Sequence, residues 1–260
     1  ERLPSGSLFA KVTAQLGVNS RLEVSHNYFH ADDQAEGFFH SRGFLPFSSF
    51  GFRVPLTVNV TRLNWTTAFA GRWTNELLLA RVAEHNRCVP NSNFAAVQVS
   101  VDAGAMVAGS LGCGGLVTAQ SSWEVTENLG LVAGAHRPPL GMHHELLHLL
   151  NANRTPTPGF WSFDSLDSLK QGTPSSYDRE LPGPLAPQGP RADFPVRQLG
   201  FYLQDQWTPT PRLTLTAGAR LDVPYIPIAP PQNPELLSQL GISTAVTPSG
   251  NALWSPRLGL

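Results

Sequence analysis

The chain has 260 residues with 18 basic and 19 acidic side chains, so its formal net charge is −1. A charge so close to zero argues against a dedicated nucleic-acid surface, because such a surface must neutralise many phosphates. Charged residues make up only 14 % of the chain, against about 25 % in soluble domains. The 23 glycines and 23 prolines argue against a helical bundle, since both residues break helices.

Alternation of apolar and polar residues is the strongest pattern along the chain, and it predicts long β-strands. In the first strand Leu8, Ala10 and Val12 alternate with polar side chains, and the turn at 17–19 leads into a second strand as a hairpin. The same periodicity gives about nine strands in all. They span residues 7–16, 20–31, 61–71, 75–86, 122–134, 141–150, 197–207, 213–223 and 252–260.

The connections between these strands alternate between short turns and long segments. The long ones are predicted at 32–60, 87–121, 151–196 and 224–251. The strands are about 10–13 residues long, whereas globular strands have about 5–6 and a bilayer-crossing strand about 9–11. The fold class is therefore predicted to be all-β, a partial antiparallel transmembrane β-barrel with short periplasmic turns and long extracellular loops. All but one of the 23 prolines lie outside the predicted strands, as sheet hydrogen bonding favours.

Each predicted strand has one apolar face and one polar face. In an outer-membrane barrel the apolar face meets lipid and the polar face lines a wet lumen. We therefore predict that Arg21, Glu23, Gln204 and Arg220 face the lumen, because charged and amide side chains are costly in lipid. The apolar faces make outer-membrane lipid an expected partner, and aromatic residues near strand ends, such as Trp123, suit the interfacial girdles of such barrels.

Short motifs in the last third of the chain carry a family resemblance. They are LGFYLQDQW at 199–207, PTPRLTL at 209–215, GARLD at 218–222 and WSPRLG at 254–259. Together these motifs resemble the barrel of TonB-dependent outer-membrane receptors, and they are most similar to the Oar-like subgroup.

The resemblance implies that residues 1–260 are part of a single receptor β-barrel domain of about 22 strands, with the plug domain and the rest of the barrel absent. It implies transport rather than catalysis, with no cofactor. The expected role is uptake of an unidentified substrate across the outer membrane of a Gram-negative-type bacterium. The energy would come from the TonB system, acting through the missing plug region.

A zinc-peptidase motif offers an alternative function. His144, Glu145 and His148 match H-E-x-x-H, which on a helix places two zinc ligands one turn apart, with the glutamate as general base. Two prolines, Pro138 and Pro139, stand close before the motif, and no later helix offers a third ligand. The competing interpretation is a barrel strand on which the two histidines alternate with Glu145.

The only two cysteines, Cys88 and Cys113, both fall in the predicted 87–121 connection. An extracellular loop is an oxidising environment, where a disulfide between them is plausible. The alternative is two free thiols. A further alternative for the whole chain is a soluble all-β surface-binding module, which predicts short strands around a closed hydrophobic core.

Overall fold

β-Strands make up most of the computed structural model, which describes residues 5–34, 43–110, 113, 115–153, 158–181, 183, 189 and 191–260. In chain order they are β1 (Ser5–Gln15), β2 (Ser20–Gln34), β3 (Phe44–Pro46), β4 (Phe52–Phe69), β5 (Trp73–Arg87), β6 (Val89–Pro90), β7 (Ala96–Val101), β8 (Gly104–Ala108), β9 (Leu116–Leu131), β10 (His136–Arg137), β11 (Pro139–Asn153), β12 (Phe160–Phe163), β13 (Ser176–Asp178), β14 (Arg191–Thr210), β15 (Leu213–Tyr225) and β16 (Leu253–Gly259). Two short helices, α1 (Leu166–Gln171) and α2 (Pro234–Leu240), lie in connections. Among the described residues, no helix has the length and apolarity needed to cross a bilayer.

The larger sheet is a meander in which neighbours in sequence are neighbours in space. Its strand order is β1-β2-β4-β5-β9-β11-β14-β15-β16, and every neighbouring pair is antiparallel. The short strands β6 and β10 add to β4 and β14. The prediction of long antiparallel strands is therefore confirmed. Within the described part of the chain β1 pairs only with β2 and β16 only with β15, so the sheet is open at both edges.

Short and long connections alternate along this meander, as predicted from the sequence. The short ones are 16–19, 70–72, 132–138 and 211–212, and the long ones are 35–51, 88–115, 154–190 and 226–252. Several strands run further toward the long connections than predicted. The structure starts β4 at Phe52 instead of 61, β9 at Leu116 instead of 122 and β14 at Arg191 instead of 197.

The prediction that prolines avoid the strands is wrong. Those within the nine long strands are Pro55, Pro139, Pro195, Pro209, Pro224 and Pro256. Each of these prolines has no paired residue in at least one of the two adjacent strand positions of the sheet. Pro55, for example, pairs with Asp32 of β2 but has no partner in the β4–β5 register, and Pro256 lies on the edge strand. On that side no paired strand needs a backbone hydrogen bond from the residue, so the sheet tolerates proline, which has no N–H, at these positions.

A second, smaller sheet is built from the long connections. Its order is β13-β12-β7-β8-β3, with the β12–β7 and β3–β8 pairs parallel. Phe50, Ala96 and Val107 form its buried core, and Phe44 and Phe160 pack against them. The sequence predicted these segments as long extracellular loops and gave no indication of the strands within them. These strands have only 3–6 residues, so they lack the long alternation that marks the larger sheet.

Candidate functional site: the two faces of the larger sheet

The strand register collects polar side chains on one face of the larger sheet. A single row of paired residues crosses all nine long strands, and we call it the polar row. Its members are Gln15, Arg21, Thr66, Glu76, Asn128, Gly141, Tyr202, Arg220 and Ser255. Every member except Gly141 carries a polar group. The strand period places the four predicted lumen residues, Arg21, Glu23, Gln204 and Arg220, on this same face.

At the β1–β2 end of the polar face, two cations converge on one carboxylate. Lys11 Nζ lies 3.0 Å from Glu23 Oε1, and the Arg21 guanidinium also pairs with that oxygen. Thr13 Oγ1 donates to the same oxygen at 3.3 Å. These contacts leave the cluster with a net positive charge on a solvent-accessible surface.

A second cluster links four strands further along the polar face. Tyr202 donates its hydroxyl proton to Asn128 Oδ1, and Asn128 Nδ2 donates to Glu76 Oε2 at 3.4 Å. The Arg220 guanidinium lies 5.7 Å from the centre of the Tyr202 ring. Arg220 also forms a two-pronged pair with Asp222, at 2.7 Å from Nε and 2.8 Å from Nη2. The arrangement offers hydrogen-bond donors, acceptors and both charges to a polar molecule.

Gly141 makes room for the Tyr202 ring. It pairs with Tyr202 in the β11–β14 register, and a Cβ atom at Gly141 would overlap the ring and the hydroxyl group of Tyr202. The ring therefore occupies the space that a side chain would take. The sequence alone did not identify this contact, because the two residues are 61 positions apart (202 − 141) and only the strand register brings them together.

We expect Gly141→Ala to lower the free energy of unfolding by about 1–3 kcal/mol, because the added methyl displaces the Tyr202 ring. Urea unfolding of the full-length protein in lipid vesicles measures the change. Gly6→Ala is the matched control, since nothing lies within 4 Å of a Cβ built at Gly6 on β1. Adding Tyr202→Ala to Gly141→Ala should recover part of the loss, and equal losses at Gly141 and Gly6 would refute the explanation.

The opposite face of the larger sheet is apolar across its middle. One row on this face is apolar except at His144, and it reads Val24, Leu63, Leu79, Val125, His144, Leu199 and Val223. Toward the short connections, Trp73 stacks on Phe69 with ring centres 6.2 Å apart. Toward the long connections, the Arg81 guanidinium lies 5.4 Å from the Trp123 ring centre and that of Arg197 lies 5.7 Å from the Tyr225 ring centre. These last four residues and Leu146 form one row, which we call the girdle row.

The alternation inverts at the girdle row. On β4, the apolar face carries Leu63 and Trp65 before this row, but Asn59 and Thr57 beyond it, while Val58 and Leu56 switch to the polar face. The same inversion occurs on β2 and β14. Beyond the girdle row the apolar face is thus replaced by polar side chains, which is expected where a strand leaves lipid for water.

The H-E-x-x-H motif lies on β11 and not on a helix. Its histidines share the apolar face, about 13 Å apart along an extended strand, and Glu145 points to the polar face, paired with Glu124 and Gln198. His148 Nε2 lies 3.0 Å from Asp193 Oδ1, while His144 packs edge-on against Phe201. No group of three metal-ligating side chains occurs among the described residues. The helical geometry on which the zinc-peptidase alternative depends is therefore not present at this motif, and the barrel-strand interpretation is confirmed.

Cys88 and Cys113 form a disulfide with their Cα atoms 5.6 Å apart. Cys88 directly follows β5 and is buried, and its N–H donates to the carbonyl oxygen of Leu116 at 2.9 Å. The disulfide therefore closes the base of the 88–115 connection, next to the point where β5 and β9 pair. Both thiols are consumed by this bond, so the described chain has no free cysteine.

Comparison with known proteins points to one class. The sequence profile of the outer membrane beta barrel domain family matches residues 7–235. The fold is similar to that of the outer membrane transporter YddB from Escherichia coli, with a TM-score of 0.63 and 11 % sequence identity. That match covers 98 % of this chain but only 29 % of the transporter chain. No curated protein matches the sequence.

Proposed function

This chain belongs to the outer membrane beta barrel domain family and lies in the outer membrane, and we propose that it forms part of the wall of a transporter that takes up a substrate. The observation that carries the proposal is the pair of faces of the larger sheet. The apolar face suits lipid up to the girdle row, and the polar row crosses the other face without interruption except at Gly141. A polar, charged inner wall is what a barrel needs to conduct or bind a polar solute.

The proposed orientation puts the four long connections and the small sheet outside the cell, with the short connections in the periplasm. Bacterial outer-membrane barrels follow this rule generally. The resemblance to TonB-dependent receptors extends the proposal to a barrel of about 22 strands that is energised by the TonB system through a plug region.

The motifs that carry this resemblance also supply the second polar cluster. Tyr202 lies in the 199–207 motif, and Arg220 and Asp222 lie in the 218–222 motif. We therefore assign these three side chains to contact with the substrate or with the plug. Nucleic acid is not among the proposed partners, and the proposed role is transport without a cofactor.

Comparison of solutes removed from the growth medium tests the transport proposal. In cells that produce the full-length protein, we expect mass spectrometry of the medium to reveal a solute class that is depleted. This depletion should be lost when the gene is deleted and also when the TonB system is inactivated. Depletion that requires the protein but not TonB would contradict energised uptake, and the absence of any protein-dependent depletion would contradict transport.

The double variant Arg220→Gln, Asp222→Asn should reduce the rate of that uptake by about tenfold, the effect of losing one charge-assisted contact. Arg53→Gln, Asp32→Asn is the matched control, because this ion pair of 2.8 Å lies on the opposite face. Quantification of both variants in outer-membrane fractions corrects for changes in abundance. An equal loss of uptake in the two variants would show that the Arg220–Asp222 pair on the polar face has no specific role in uptake.

A further inference from the structure

Basic side chains cluster on the outer face of the sheet, at and beyond the girdle row. We call this cluster the basic patch, and it consists of His26, His30, Arg81, His85 and Arg87. All five lie on the face that is apolar between Leu63 and Leu79 and becomes polar toward the long connections. The patch extends from Arg81 to Arg87, about 20 Å along β5.

Small and hydroxylated residues form the floor of the basic patch. Ala83 separates Arg81 from His85 on β5, and Ala119 and Ser121 lie beside them on β9. On the other side, Thr57 Oγ1 lies 3.0 Å from His30 Nδ1 and Thr61 Oγ1 lies 2.9 Å from His26 Nδ1. A bulky head group can approach the strands closely here, with cations at its margin and hydroxyl groups beneath it.

No carboxylate of the described residues forms an ion pair with the arginines of the patch. Glu84, on the same strand as these arginines, lies on the polar face. Two acidic residues of the described strands lie on this part of the outer face, and one of them, Asp32, is paired with Arg53 at 2.8 Å. The other is Asp193, which pairs with Arg191 and with His148.

Charge on the outer face differs between the two rims. Toward the short connections it carries Glu127, which accepts from Asn75, and Asp205, whose Oδ2 lies 2.6 Å from His136 Nδ1. Neither of these carboxylates is paired with an arginine in the described structure. On the described strands of the outer face, the carboxylates Glu127 and Asp205 thus lie toward the short connections, and the basic patch lies toward the long ones.

We propose that the basic patch binds the phosphorylated sugar head group of the outer-leaflet glycolipid. The inference rests on the proposed orientation, in which the girdle row marks the outer boundary of the hydrocarbon layer. Arg81 lies at that boundary and Arg87 lies beyond it, so both stand at head-group depth. Phosphate is the group that unpaired arginines recognise best, and clusters of such residues bind anionic lipid head groups.

Lipid binding by purified full-length protein in detergent tests the proposal. The probe is the outer-leaflet glycolipid, with its phosphates intact or enzymatically removed, and native mass spectrometry measures the bound fraction. We expect Arg81→Gln, Arg87→Gln to weaken binding of the phosphorylated lipid by about 30-fold. The matched control is Arg62→Gln, Arg257→Gln, which removes the same charge from the polar face. It should change binding less than about threefold.

Removal of the phosphates should weaken binding to the unaltered protein and leave the Arg81, Arg87 variant nearly unchanged. Equal losses in the two double variants, or binding that does not change when the phosphates are removed, would overturn the proposal.

An epitope inserted between Asp102 and Ala103, in the turn joining β7 to β8, reports the orientation of the protein separately. If antibodies reach the epitope on intact cells but lipid binding does not depend on the phosphates, the lipid site alone is refuted. If the epitope is not found on the cell surface, the proposed orientation is refuted.

Discussion

Arginine in place of Leu79 is expected to lower the free energy of unfolding by about 2–4 kcal/mol. Leu79 lies on the apolar face, between Leu63 on β4 and Val125 on β9, and two residues before Arg81 of the girdle row. The new guanidinium would have to leave water for the hydrocarbon layer or deform the lipid around it. Urea titration of the full-length protein folded into lipid vesicles, followed by tryptophan fluorescence, measures this cost.

The neighbouring residue supplies the control for this experiment. Leu78 lies on the polar face between Asn64 and Thr126, so Leu78→Arg places the same side chain in water. We expect this variant to lose less than about 1 kcal/mol, as for a surface substitution. Similar costs at both positions would mean that the two faces of β5 do not divide lipid from water, and the barrel wall would then have to be assigned differently.

Period-two alternation predicts the middle of each long strand well but misplaces the ends toward the long connections. The strand predicted at 75–86 is observed as Trp73–Arg87, a close match. The strand predicted at 61–71 in fact begins at Phe52. Because the apolar positions change phase between Val60 and Leu63, a single alternating pattern ends there although the strand continues. In the proposed orientation the phase change marks the edge of the lipid layer, and only the register with β2 and β5 shows that pairing persists beyond it.

Residue type alone predicted part of the candidate site. Arg21, Glu23, Gln204 and Arg220 were identified because charged and amide groups must avoid lipid. The hydrogen bond from Tyr202 to Asn128 depends on which residues lie opposite each other across β11. Gly141, which lies between them, has no side chain that would indicate this contact in the sequence. The small sheet was missed for a related reason, since its parallel pairs join segments that are far apart in sequence.

Replacement of Cys88 and Cys113 by alanine is expected to lower the free energy of global unfolding by about 3 kcal/mol. The bond joins residues 25 positions apart, and without it the unfolded chain gains the entropy of an open loop. In the folded state the ends of the 88–115 connection are already held together by the β5–β9 pair, including Cys88 N–H to Leu116 at 2.9 Å. The disulfide therefore adds little to the local stability of β7 and β8.

Two measurements separate these effects. Urea unfolding in vesicles should show the loss of global stability, while hydrogen exchange of β7 and β8 under native conditions should change by less than about threefold. Reduction of the unaltered protein should reproduce the loss, and the same reductant should leave the double alanine variant unchanged. If exchange in β7 and β8 instead rose about 100-fold while global stability stayed constant, the disulfide would be holding the small sheet directly. The β5–β9 pair would then not suffice to fix the base of the connection.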